Sequence, residues 1–202
     1  MMIFDEQLHH AIFGFELIES RVAMKQYVGI IRGINVGGHN KVNMKQLREA
    51  METTSYRDVR TYIQSGNVVF RSAARSVQSV EESLARLLLK SFGVKVPVLV
   101  RDEKEWERTV LRNPFVGATD DQTKLLVTFL ATKPTSAEVK ALTAVTFPHD
   151  EFVIDGKDIF LFCKNGYGRC DIPNTFFEKK LNVTGTTRNW RTVLELQKML
   201  TE

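Results

Sequence analysis

YVGIIRGINVGGHNKVNMKQLREAMETTSYRDVRTYIQSGNVVF, residues 27–70, is the stretch that decides the fold. It opens on an apolar, β-prone run, Tyr27–Arg32, and passes into the polar loop Gly33–Val42. Asn43 is placed to cap a helix, with Gln46 three residues on as its reciprocal partner. Met44, Leu47, Ala50 and Met51 then fall on one helical face. Asp58–Ile63 and Val68–Phe70 read as two strands joined by a tight turn, with Ser65-Gly66 at its tip, where glycine supplies the backbone angle the turn needs. Downstream, Val80, Leu84, Leu88 and Phe92 mark the buried stripe of a helix over 77–92, and Gly93 is its stop. A fourth strand is expected over Lys95–Val100. The order β-α-β-β-α-β is the ferredoxin-like signature.

The rest of the 202 residues repeats the theme loosely. Asp102-x-x-Glu105 opens a short helix with Trp106 and Val110, ended by Asn113-Pro114. Residues 102–122 are read as a helical linker between a ferredoxin-like domain, 24–101, and a second α+β domain, 123–202. The second domain is expected to hold a strand over Lys124–Ala131 and a helix capped by Thr135-x-x-Glu138 and running to about Val145. A hairpin over Phe152–Ile154 and Ile159–Cys163 follows, then a helix opened by Thr175-x-x-Glu178. Its last strand is at most a stub over Val183–Thr187, before a final helix from about Asn189 to Leu200. The fold class is α+β, with the second repeat imperfect. Residues 1–23 stand apart as an upstream extension, with Met24 a candidate start and a docking helix the alternative; acidic residues and the lack of a basic start argue against a secretory signal.

Connectivity makes a functional expectation. In a β-α-β-β-α-β unit the chain leaves the first strand at the same edge that carries the turn between the second and third. Arg32, Asn35, Gly37, Gly38 and Lys41 are therefore expected to meet Gln64, Ser65 and Asn67. Gly37 and Gly38 offer backbone N–H groups, the following helix N-terminus favours an anion, and Arg32 and Lys41 add positive charge. The alternative is purely structural: glycine and asparagine in tight loops serve backbone geometry, and Gln64 and Asn67 flank a turn. Near the C-terminus, Thr187, Arg188 and Asn189 precede the last helix. A threonine there is placed to cap it, and Arg188 to reach an anion or carboxylate. Trp190 is either a stacking platform or core.

Charge and motifs narrow the classes. A net charge of +4, with 43% hydrophobic and 26% charged residues, suits a soluble domain and tolerates an anionic partner. No run approaches the roughly 20 apolar residues that cross a bilayer, so no membrane partner is expected. Neither the Walker A loop nor the dinucleotide fingerprint is present, no cofactor motif appears, and acidic residues are scarce around the loops. Cys163 and Cys170 lack metal-ligand spacing and are read as reduced cytosolic thiols, with a disulfide the alternative; no metal site is expected. His39 is the one histidine near the loops.

Three segments carry a resemblance: Arg32-Gly-Ile-Asn-Val-Gly-Gly38, Thr61-Tyr-Ile-Gln-Ser-Gly-Asn-Val-Val-Phe70, and Thr186-Thr-Arg-Asn-Trp-Arg-Thr-Val193. With them, residues 24–200 resemble the bacterial family catalogued as domain of unknown function 1697. The resemblance implies ferredoxin-like units and no established activity. Where the family pattern has a Ser-Lys-Leu-like run after Arg169, this chain has Cys170-Asp171-Ile172. The leading reading is a cytosolic module binding an anionic small molecule, such as a phosphorylated compound or nucleotide. The alternatives are a nucleic-acid binder using Arg60, Tyr62 and Gln64 on an open sheet face, a protein-interaction module, and an enzyme of unidentified reaction. The oligomeric state is not legible.

Overall fold

The computed structural model describes residues 23–172 and 175–202; the expected extension lies almost wholly outside them. In chain order the regular elements are β1 (Lys25–Ile31), α1 (Met44–Glu52), β2 (Arg57–Tyr62), β3 (Asn67–Ser72), α2 (Val77–Phe92), β4 (Val98–Asp102), α3 (Glu103–Leu111), β5 (Leu125–Leu130), α4 (Ser136–Thr143), β6 (Asp150–Asp155), β7 (Asp158–Cys163), α5 (Phe176–Leu181), β8 (Gly185–Asn189) and α6 (Trp190–Thr201). They build two four-stranded antiparallel sheets, ordered β2-β3-β1-β4 and β6-β7-β5-β8. The two orders are the same, so the second unit is a full β-α-β-β-α-β repeat.

The last strand is the main departure from expectation. β8 pairs with β5 from Leu126↔Asn189 to Leu130↔Gly185, where the sequence suggested a stub. Gly-Thr-Thr-Arg-Asn carries no apolar alternation, because its polar side chains are satisfied inside the protein rather than by solvent. β4 starts at Val98, not Lys95: Pro97 has no N–H to give a ladder, and pairing begins just after it. α4 ends at Thr143 and α6 begins at Trp190, one residue after its cap.

Alternation along the strands divides the core into three layers. Tyr27, Ile31, Val68, Phe70, Val98 and Val100 turn toward α1 and α2. Val28, Ile30, Val69 and Leu99 turn the other way and share one apolar layer with Leu125, Val127, Phe129 and Phe160 of the second sheet. Leu126, Leu130, Ile159 and Leu161 face α5 and its neighbours. The open face of each sheet is thus closed by the other unit, with α3 and α6 wedged in. Trp106 of α3 is fully buried, stacks on Phe129 with centroids 5.0 Å apart, and donates its indole N–H to the Val193 carbonyl at 3.2 Å.

Cys163 and Cys170 form a disulfide, Cα–Cα 5.2 Å. This corrects the reading of the pair as reduced thiols: the loop over 164–169 folds back within bridging distance, which spacing in sequence does not reveal. Among the described residues no helix is long and apolar enough to cross a membrane.

Candidate functional site

The β1–α1 loop and the β2–β3 turn do meet at one edge. Asn35, in the left-handed region at φ 56°, donates from its amide to the carbonyls of Val42 and Gln64, both at 2.8 Å, and accepts from Val42 N at 2.9 Å. Asn40 donates to the Gly33 carbonyl at 3.0 Å, and His39 N to the Val36 carbonyl at 3.1 Å. The loop is therefore shaped by its own asparagines. Gly37, Gly38, His39 and Lys41 are left exposed at its tip. Ile31 N donates to the Gly66 carbonyl at 2.7 Å, tying the turn to the end of β1.

The third motif arrives at the same edge from the other sheet. Arg188, half-buried, spends all five of its N–H groups there. Nε donates to Asn67 Oδ1 at 2.6 Å, Nη1 to Thr186 Oγ1 at 2.8 Å and the Thr187 carbonyl at 2.9 Å, and Nη2 to the carbonyls of Ile31 at 3.0 Å and Ser65 at 2.9 Å. A guanidinium has five donors and no more, so none remains for a ligand. Every acceptor is uncharged, and burial pulls the Arg188 pKa down to about 10, which leaves it protonated at neutral pH. Asn67, fully buried, donates in turn to the Tyr62 carbonyl at 3.2 Å and Ser65 Oγ at 3.0 Å. Arg32 donates to Glu178 at 2.7 Å and to the Gly185 carbonyl at 3.0 Å, while the same carboxylate accepts from Gly185 N at 2.9 Å.

Several of the other residues singled out in the sequence make internal bonds as well. Thr187 shares a 2.8 Å hydroxyl bond with Thr128 inside the second sheet. The cap of α6 is Asn189, accepting from Arg191 N at 2.9 Å, and not a threonine. Asn43 occupies the N-terminus of α1, accepting from Lys45 N and Gln46 N. Trp190 is core. Arg60 donates to the Met199 carbonyl and pairs with Glu202 at 3.6 Å, and Tyr62 packs against the inter-sheet layer. The face considered for RNA is therefore partly covered by the protein itself at Arg60 and Tyr62, while Gln64 stays exposed.

A second edge reproduces the first. Arg101 stands one residue before the cap of α3, as Arg188 stands one before the cap of α6. It donates to the carbonyls of Leu130 at 2.8 Å and Lys157 at 3.4 Å. Leu130 ends β5 as Ile31 ends β1, and Lys157 lies in the β6–β7 turn as Ser65 lies in the β2–β3 turn. Leu130 N donates to the Lys157 carbonyl at 2.8 Å, the counterpart of the bond from Ile31 N to Gly66. Each unit thus inserts an arginine from its last strand into the other, about a pseudo-twofold relation.

The two edges differ in charge. Where Arg188 meets Asn67, Arg101 meets Asp158, at 3.4 Å. Burial raises the Asp158 carboxyl pKa; Arg101 and the Thr109 hydroxyl, 2.5 Å away, act against that. Around this pair opens a cleft of about 320 Å³, lined by five cationic side chains and three carboxylates. Lys157 pairs with Glu105 at 2.8 Å and Arg112 with Asp155 at 3.1 Å. Burial alone would raise the Glu105 pKa, but Lys157 and Arg101 outweigh it and hold it low. Arg108 and Lys133 are in no ion pair with a described carboxylate. The sequence reading missed this cleft, although Lys104, Arg108 and Arg112 recur at four-residue spacing along α3 and its cap.

A family model described as "Protein of unknown function (DUF1697)" matches residues 24–160. A conserved bacterial protein from Streptococcus pneumoniae has a solved structure similar to this one, with a TM-score of 0.67 at 24% identity, over 88% of this chain and 99% of that one. At that identity the likeness concerns the fold alone. No curated protein matches the chain.

Proposed function

The chain belongs to the DUF1697 family of proteins of unknown function, and from that premise we propose that it is a binding module for a small phosphorylated compound, seated in the cleft around Arg101. One observation carries this reading: Arg108 and Lys133 line the cleft without a carboxylate partner among the described residues, while its other cations are paired. Two such cations, one from α3 and one from the β5–α4 connection, suit a phosphate, which a guanidinium grips with two parallel hydrogen bonds and an ammonium holds as a point charge. The volume suits a small ligand of the size that pockets of roughly 300–1,000 Å³ accept. The glycine-loop edge is the weaker candidate, because Arg188 has no donor to spare and Asn43 already fills the α1 N-terminus.

Titration with pyrophosphate, followed by calorimetry and thermal shift, tests the proposal. Saturation is expected to raise the melting temperature, since a ligand that binds only the folded chain stabilises it by mass action. The double variant Arg108→Ala/Lys133→Ala should lose that response, and Lys41→Ala at the loop tip should keep it. If pyrophosphate binds the double variant as well as the wild type, or binds neither, the reading is wrong.

A further inference from the structure

We infer that the reduced chain holds a zinc site made of Asp150, Cys163 and Cys170. Asp150 begins β6 and is the direct cross-strand partner of Cys163 at the end of β7. Cys170 returns to the same place after the 164–169 loop, and one ligand atom from each of the three residues lies within 4.8 Å of the others. Around tetrahedral zinc, sulfur and oxygen ligands stand roughly 3.5–3.8 Å from one another, so the two sulfurs, bonded in the disulfide, have to part by about 1.5 Å on reduction while Asp150 already lies within reach. Two thiolates and a carboxylate carry the charge and softness that zinc selects over magnesium or calcium.

The cradle does not depend on the disulfide. The Asp150 carboxylate, almost fully buried, accepts from Lys164 N at 2.9 Å with one oxygen and from Asp171 N at 2.5 Å with the other. Those N–H groups belong to the residues that follow Cys163 and Cys170. When the sulfur bridge opens, the same carboxylate still pins both ends of the loop, and each oxygen keeps a lone pair for a metal. Cys163 is fully buried and Cys170 partly exposed. A dithiol reductant therefore attacks the Cys170 sulfur, Cys163 leaves as the thiolate, and the reductant's second thiol resolves the mixed disulfide. Two electrons pass to the protein, the reductant becomes a disulfide, and the two protein thiols give up two protons on taking Zn²⁺. In a reducing compartment cysteines are kept as thiols. The fourth position belongs to water or an external ligand, because no fourth described side chain joins the cluster.

Cobalt is the probe. The full chain, reduced with a phosphine and passed into metal-free buffer, is titrated with Co²⁺ and then with Zn²⁺. One Co²⁺ per chain is expected, with thiolate-to-metal charge-transfer absorption that zinc abolishes. The disulfide form should show neither band nor binding. Cys170→Ser, at the partly exposed position, should lose the band while its circular dichroism stays native. Asp150→Asn keeps an acceptor for only one of the two backbone N–H groups and should weaken cobalt binding by about tenfold or more, with circular dichroism checking that the loop stays folded. Absence of the band in the reduced wild type overturns the inference, as does its persistence in Cys170→Ser or an undiminished affinity in Asp150→Asn.

Discussion

Arg188→Ala is the most informative single change in this chain. It removes five hydrogen bonds, and three of the abandoned acceptors, Asn67 Oδ1 and the carbonyls of Ile31 and Ser65, belong to the other unit. A buried acceptor left without a donor costs about 1–3 kcal/mol. Water entering the vacated volume recovers part of that, and losing a buried charge that has no carboxylate recovers more. The net expectation is a loss of about 4 kcal/mol, which for a chain of this size is a fall of about 8–16 °C in melting temperature. Urea and thermal unfolding followed by circular dichroism measure it. Arg188→Lys, with three donors for five acceptors, should fall between. A double-mutant cycle with Asn67→Ala should show coupling of about 1 kcal/mol or more, because the two side chains share a bond. An Arg188→Ala protein within about 2 °C of the wild type, or strict additivity in the cycle, would refute the reasoning.

At the pseudo-equivalent edge, Arg101→Ala strands a buried carboxylate on Asp158 and should cost about 3–5 kcal/mol; adding Asp158→Asn should return at least half of it, read by urea denaturation. Burial raises the Glu81 pKa, against a bond from Val100 N at 2.8 Å that favours the charged form. The folded state therefore binds a proton that the unfolded state has already released at about pH 4.3, so this group lowers stability as pH rises through that window. Glu81→Gln, which keeps the acceptor oxygen, should flatten that slope in unfolding measured from pH 4 to 7, and an unchanged slope would remove Glu81 from the account. Gly66→Ala should cost more than about 2 kcal/mol, because φ is +81° and a Cβ would stand 2.9 Å from Ile31 Cβ, the Ile31 carbonyl and Ile34 Cδ1; a melting temperature equal to the wild type's would show that the turn relaxes freely.

The first unit was legible because its signals are local. Alternating apolar strands, a glycine turn and two capped helices each follow from a few adjacent residues, and connectivity then brought residues 32–41 beside 64–67. The second unit hid its last strand because Thr187 and Arg188 are internal polar groups and break the alternation. The role of Arg188 was not legible for a different reason. Its partners are mostly backbone carbonyls, and every residue carries one, so no residue type marks the acceptor. Cys163 and Cys170 were misread because the 164–169 loop folds back to bring them within bridging distance, which their spacing in sequence does not reveal. The cleft went unseen since its walls come from α3, the β5–α4 connection and the β6–β7 turn.

The two arginine edges explain why the strongest motifs sit where the units touch. Two ferredoxin-like sheets with apolar open faces can slide or rotate against each other at little cost, because apolar contact has no direction. A planar guanidinium bonded to carbonyls at a strand end and a turn has only one satisfactory placement, and any slip leaves a buried charge without its acceptors. One such clasp still allows rotation about itself. Two of them, Arg188 into the first unit and Arg101 into the second, fix both translation and rotation. The inequality between them follows from one residue at each edge. Asn67 gives the first edge an uncharged acceptor and leaves Arg188 fully bonded, which suits a permanent joint. Asp158 gives the second edge charge, and the cations gathered around it exceed what its carboxylates can pair. Of two edges built to the same plan, the one whose cations outnumber its carboxylates is therefore the one we propose for a negatively charged molecule.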